Sequence, residues 1–183
     1  VLGCALMFTM FTTSPAGADA VKIGSLVSTT GDLAAYGPPI NNGSMLAAKD
    51  VNAAGGVLGR NVEIILRDTQ TNPTAAVDAA KKLVDIDNVV GIAGALSSGV
   101  TIPVATSVSI PSGVVQISPA STSEKISTLN DNDYIFRTVA MDALQAPALA
   151  RVLVKDKKFK KISIVYVNND YGEGLAKGLK TAV

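Results

Sequence analysis

Two clusters of small polar residues hold most of the chemistry this sequence can do. They are Ser97-Ser98-Gly99 and Ser118-Pro119-Ala120-Ser121-Thr122. Each follows a short apolar run, residues 89–95 and 114–117, and such runs between turn residues predict buried strands. Hydroxyls and backbone N–H groups at the ends of two successive strands suit a small ligand. They offer several neutral donors and no fixed charge, which fits a carboxylate held by hydrogen bonds. A helix start predicted after each cluster adds about 0.3–1 kcal/mol of preference for an anion. The candidate residues are therefore Ser97, Ser98, Ser121 and Thr122. The competing use of such hydroxyls is structural, in capping helices and satisfying loop backbone. Tyr36 and Tyr171, two of four tyrosines, fall at strand–helix junctions. A ring there can pack on a ligand and keep its hydroxyl for a hydrogen bond.

Other chemistries lack their parts. The chain has no His and a single Cys, Cys4. A His base, a His-containing triad and a thiolate metal cluster are thus excluded within it, and no catalytic residue, metal or cofactor is expected. Gly91-Ile92-Ala93-Gly94 lacks the dinucleotide spacing, and no GxxxxGK[ST] occurs. With a net charge of +1 there is no basic footprint for nucleic acid. The lysine-rich residues 155–161 read as a solvated turn. A secreted hydrolase using Ser97 or Ser98 is an alternative, but no G-x-S-x-G elbow is present.

The elements that must position these residues alternate. Strands are predicted at 21–27, 62–67, 89–95, 114–117, 134–138 and 162–167. Helices are predicted after Pro38-Pro39, with Ile40, Met45, Ala48 and Val51 inward, and from Pro73 to about residue 84, with Ala76, Val77, Ala80 and Leu83 inward. A short one follows from about Ile102, another spans 142–154, and a last one starts at an Asp170/Glu173 capping box. This order predicts an α/β doubly wound parallel sheet lobe and the start of a second, similar lobe. The boundary falls near 138–142, giving regions 21–138 and 139–183. Residues 1–20 read as most of a secretory signal, apolar to Phe11 and then Ala18-Asp19-Ala20, with cleavage expected after Ala20.

The stretches VKIGSLVSTTGDLAAYG, AAKDVNAAGGVLGR, ALSSGVT, QISPASTS, YIFRT and NDYGEG, in this order, resemble the periplasmic leucine/isoleucine/valine-binding protein family. These are the solute receptors of branched-chain amino acid ABC transporters. The resemblance covers residues 21–183 and implies a type I periplasmic binding protein fold, with ligand enclosed between two lobes. It implies that Ser97 and Thr122 hold the ligand α-carboxylate, with backbone at Ser98 and Ala120, and that the Ala120 carbonyl faces the α-amino group. Tyr36 and Tyr171 would line the pocket from the two lobes. It also implies a monomeric periplasmic protein, an amino-acid-like solute and a membrane permease as partners, and further lobe segments beyond this stretch. The first loop reads Ser28-Thr29-Thr30-Gly31-Asp32 where many members have Ser/Thr-Gly-Pro, and Ser121 stands where Ala is common. A ligand-sensing domain of a receptor is the alternative use of the same lobes.

Overall fold

A computed structural model describes residues 19–183, so residues 1–18, most of the predicted signal, lie outside the described residues. Five strands form one sheet: β1 (Val21–Val27), β2 (Val62–Asp68), β3 (Gly91–Gly94), β4 (Val115–Ser118) and β5 (Ile135–Arg137). Their order is β2-β1-β3-β4-β5 and every neighbouring pair is parallel. The chain steps from β1 to β2 on one side, then back past β1 to β3. This reversal makes a crevice at the carboxyl ends of β1 and β3, where open α/β sheets take ligands.

Right-handed crossovers in opposite directions put their helices on opposite faces of the sheet. Here α1 (Gly37–Ala53) connects β1 to β2, and α2 (Pro73–Asp85) connects β2 to β3. The main core forms under α2 and α3 (Ser98–Val104). It joins Ala76, Ala80 and Leu83 to Leu26, Ile92, Val100 and Val104. The α2 face is as predicted, with Val77 partly buried against it. The α1 face is not. Ala48 is buried, but Met45 is 52% and Val51 38% exposed. Helical spacing finds a stripe; it does not say how much of the stripe a neighbour covers.

Three further differences have physical causes. First, α3 begins at Ser98 and carries Pro103 inside it, rather than starting near Ile102. It then widens into a π turn over Ala105–Ser109. Second, β4 is not an apolar buried strand. Gln116 and Ser118 point inward and Ile117 is 42% exposed, so the polar set occupies the core side. That arrangement is possible because each is bonded: Gln116 Nε2 donates to the Gly94 carbonyl at 3.1 Å, and Ser118 Oγ to the Ala95 carbonyl at 2.6 Å. Third, residues 162–167 join no sheet, and Val165 is 97% exposed. A strand needs a neighbour's ladder as well as its own apolar content. The flanking helices α4 (Asp142–Arg151) and α5 (Asp170–Ala182) pack on each other through Ala146, Ala150 and Leu179, and Ile164 packs against that cluster. Among the described residues no helix is long and apolar enough to cross a membrane.

Candidate functional site

The crevice holds a cavity of about 480 Å³. That lies within the roughly 300–1,000 Å³ of small-molecule sites. Loops after four successive strands and the start of α5 line it: Asp32, Leu33, Tyr36 and Ile40; Thr71; Leu96, Ser97 and Ser98; Ala120; and Val167, Asn169 and Tyr171. Five of the seven predicted residues therefore meet in one place: Tyr36, Ser97, Ser98, Ala120 and Tyr171.

Each is positioned by identifiable local chemistry. Ser97 is the N-cap of α3, with φ −86° and ψ 135°, and its carbonyl accepts from the Val100 and Thr101 N–H groups at 2.9 and 2.8 Å. Its hydroxyl makes no cap bond, so the side chain on the cavity wall is not used by its own helix. Ser98 is buried and its Oγ accepts from the Ser123 N–H at 3.2 Å, which leaves backbone as its contribution to the wall. Tyr36 precedes α1 and is 62% exposed. Gly37 fixes it there, because a Cβ at residue 37 would strike the Ser28 carbonyl. Tyr171 stands in the first turn of α5. Its cap is Asn169 rather than the predicted Asp170, and Asn169 Oδ1 accepts from the Tyr171 and Gly172 N–H groups at 3.1 and 3.0 Å.

Ser121 and Thr122 do not line the cavity. Ser121 is buried behind it, with Oγ 2.7 Å from Thr101 Oγ1 and 3.3 Å from the Leu96 carbonyl. Thr122 Oγ1 is buried without a partner, as are both carboxylate oxygens of Asp142. Burial raises the Asp142 pKa and Glu124 raises it further, while the adjacent Thr122 hydroxyl, short of a formed hydrogen bond, and Arg137 oppose the rise. The second cluster also precedes only a 3-10 turn, Glu124–Thr128 capped by Ser123, so the expected helix start there is absent.

Across the cavity mouth, α3 and α5 approach closely: a Cβ at Gly99 would lie 3.2 Å from Asn169 Cβ. Nearby, Lys125 Nζ pairs with Asp170 Oδ1 at 2.5 Å. Sequence reasoning missed Thr71, Asn169 and the apolar wall of Leu33, Ile40, Leu96 and Val167. Thr71 follows a strand end, so the rule that found Ser97 would have reached it. The apolar wall gives no such signal, because one isolated Leu or Val reads as core.

The sequence model for "periplasmic binding protein" matches residues 20–183. The chain belongs to the periplasmic binding protein family. Among relatives, it is 34% identical over 163 residues to the Leu/Ile/Val-binding protein BraC3 of Rhizobium johnstonii, covering 89% of this chain and 44% of the relative. It is 33% identical over 182 residues to the leucine-, isoleucine-, valine-, threonine-, and alanine-binding protein of Pseudomonas aeruginosa, covering 100% and 48%. The chain thus spans under half the length of these curated relatives. A solved structure of similar fold is the branched-chain amino acid transporter substrate binding protein LivJ of Streptococcus pneumoniae with isoleucine. Its TM-score is 0.82 at 28% identity, covering 90% of this chain and 47% of that one. Another is a solute binding protein of an ABC transporter from Rhodopseudomonas palustris with 3,4-dihydroxy benzoic acid, at TM-score 0.78 and 25% identity, covering 90% and 44%. These periplasmic binding protein structures share the parallel-sheet architecture found here.

Proposed function

We propose that this chain is the ligand-catching portion of an extracytoplasmic solute-binding receptor of an ABC transporter. Its ligand is a small amino-acid-like solute with a free carboxylate. One observation carries the reading: the cap-free Ser97 hydroxyl shares a cavity of about 480 Å³ with backbone of Ser98 and Ala120 and with two tyrosines. The names of relatives that bind leucine, isoleucine and valine support the ligand class. In this reading residues 21–138 form most of a first lobe and 139–183 begin a second. Ser97, Ser98 and Ala120 hold the carboxylate, with Thr122 and Ser121 in the same loop, and Tyr36 and Tyr171 close on the ligand from the two lobes. Closure is driven by contacts made only when both lobes touch the solute. The protein is periplasmic and monomeric, hands its ligand to a membrane permease, and performs no catalysis.

Calorimetry of the full-length protein against L-leucine, L-valine, L-alanine, benzoate and a neutral sugar tests this. One-to-one binding of an amino acid, with no sugar binding, is expected. Binding of benzoate alone moves the ligand to aromatic acids, which the two tyrosines also suit. Binding of none of the acids overturns the reading, and chemical conversion of the bound solute, seen by mass spectrometry, overturns its non-enzymatic part.

A further inference from the structure

Asp68 does not line the cavity, yet it bonds to two of the loops that do. It ends β2 and takes four hydrogen bonds on one carboxylate. Oδ1 accepts from the N–H groups of Thr29 at 2.8 Å, Thr30 at 3.2 Å and Gln70 at 2.9 Å, and Oδ2 from the Thr30 hydroxyl at 2.5 Å. The donors come from two different loops, after β1 and after β2. Beside it, Thr71 Oγ1 accepts from the Leu33 N–H at 3.0 Å, and Ser28 Oγ lies 2.7 Å from Thr69 Oγ1. The backbone is bent to fit. Gln70 and Thr71 have φ of 53° and 51°, a region L side chains rarely adopt. Gly31 has φ 78°, and a Cβ there would strike the Gln70 carbonyl. The two loops are therefore one body at this point, and that body carries Asp32, Leu33, Tyr36, Ile40 and Thr71 into the cavity.

We propose that Asp68 is a positioning residue for ligand selectivity: it locks the β1–α1 and β2–α2 loops into a single wall against the ligand side chain. The wall stands apart from the Ser97 and Ala120 loops assigned to the carboxylate, so it governs what distinguishes one amino acid from another. This rests on the amino-acid-binding reading above. A carboxylate suits the task because charge-assisted bonds to N–H groups are stronger than neutral ones. Its ionised state is secured as well. Burial alone would raise its pKa, but the Thr30 hydroxyl and the Gln70, Thr29 and Thr30 N–H groups lower it to about 2.

The test uses the full-length protein and two variants, Asp68→Asn and Thr30→Val, neither of which alters a cavity-lining side chain. Calorimetry with L-leucine and L-alanine reads selectivity; amide hydrogen exchange of the free protein reads the clamp. In the variants the ratio of the two dissociation constants is expected to move toward one by about tenfold. Exchange is expected to accelerate together at residues 29–33 and 69–71. Equal weakening for both ligands, an unchanged ratio, or faster exchange in only one loop overturns the proposal. If Asp68→Asn does not fold, Thr30→Val gives the same readings. If the wild-type protein binds neither amino acid, the functional reading fails, and the selectivity role fails with it even where the exchange data hold.

Discussion

Thr101 Oγ1 and Ser121 Oγ lie 2.7 Å apart in the buried layer directly behind the cavity wall. Thr101 Oγ1 donates to the Ala95 carbonyl at 3.1 Å and so accepts from Ser121 Oγ, and the same carbonyl accepts from Ser118 Oγ at 2.6 Å. This knot joins the loop after β3 to the loop after β4, the two loops that supply Ser97 and Ala120. Hydroxyls that look interchangeable along the chain thus divide into one facing the cavity and several fastening its supports.

The Thr101–Ser121 pair is expected to be coupled. Thr101→Val and Ser121→Ala should each destabilise the protein by about 1 kcal/mol, the usual net worth of such a bond. The double variant should cost less than their sum, because the second change removes a bond already lost. Urea denaturation measures all three, and strict additivity would contradict the shared bond.

Ser97→Ala should behave oppositely. Its hydroxyl caps nothing, so stability should change by under about 0.5 kcal/mol. Affinity for the carboxylate ligand should fall about tenfold, since a hydrogen bond to a charged group is worth about 1.5–3 kcal/mol. Calorimetry beside thermal melting separates the two effects. Loss of stability without loss of affinity would make Ser97 a scaffold residue.

Asp68 makes an acid-side prediction. Its folded pKa of about 2 lies well below the ordinary carboxylate range. The depressed value means its contribution is complete above the ordinary carboxylate range and is lost as pH falls through about 2. The stability gap between wild type and Asp68→Asn should therefore be widest near neutral pH and narrow below about pH 4. A gap independent of pH would mean the charge does not stabilise this loop pair.

Asp142 has the reverse sign. Burial raises its pKa, so the native state holds its proton more tightly than the unfolded chain. Stability from this site is then present at low pH and lost as pH rises from the ordinary carboxylate range through the raised value. Asp142→Asn should raise the melting temperature at pH 7, and the advantage should vanish under acidic conditions. Destabilisation at pH 7 would show that the carboxylate has a partner in solution.

Much of this was legible in residue types alone. Alternating apolar runs and turn residues located β1, β2 and α2 nearly to the residue, because period and punctuation are local properties. Ser97 and Tyr171 were legible only as positions, because the strand–helix junctions that place them are marked by local turn residues; whether the Ser97 hydroxyl caps its helix or faces the cavity was not. Gln116 was not legible, since its inward direction depends on Gly94 and Ser109 as partners. Nor was the unpaired state of residues 162–167, because pairing is a property of two segments.

The amino-acid sequence by itself determined the fold class, the family and the presence of polar clusters at two strand ends. Each of these follows from local periodicity or from a short motif in order. Tertiary structure decided which hydroxyl faces the cavity and which lies behind it. It also decided that Asp68, outside the cavity, ties two of its loops together, and that Asp142 is buried without a partner. Those outcomes depend on distances between residues about 20 to 40 positions apart, set by the twist and order of the sheet. No property of the individual residues encodes them.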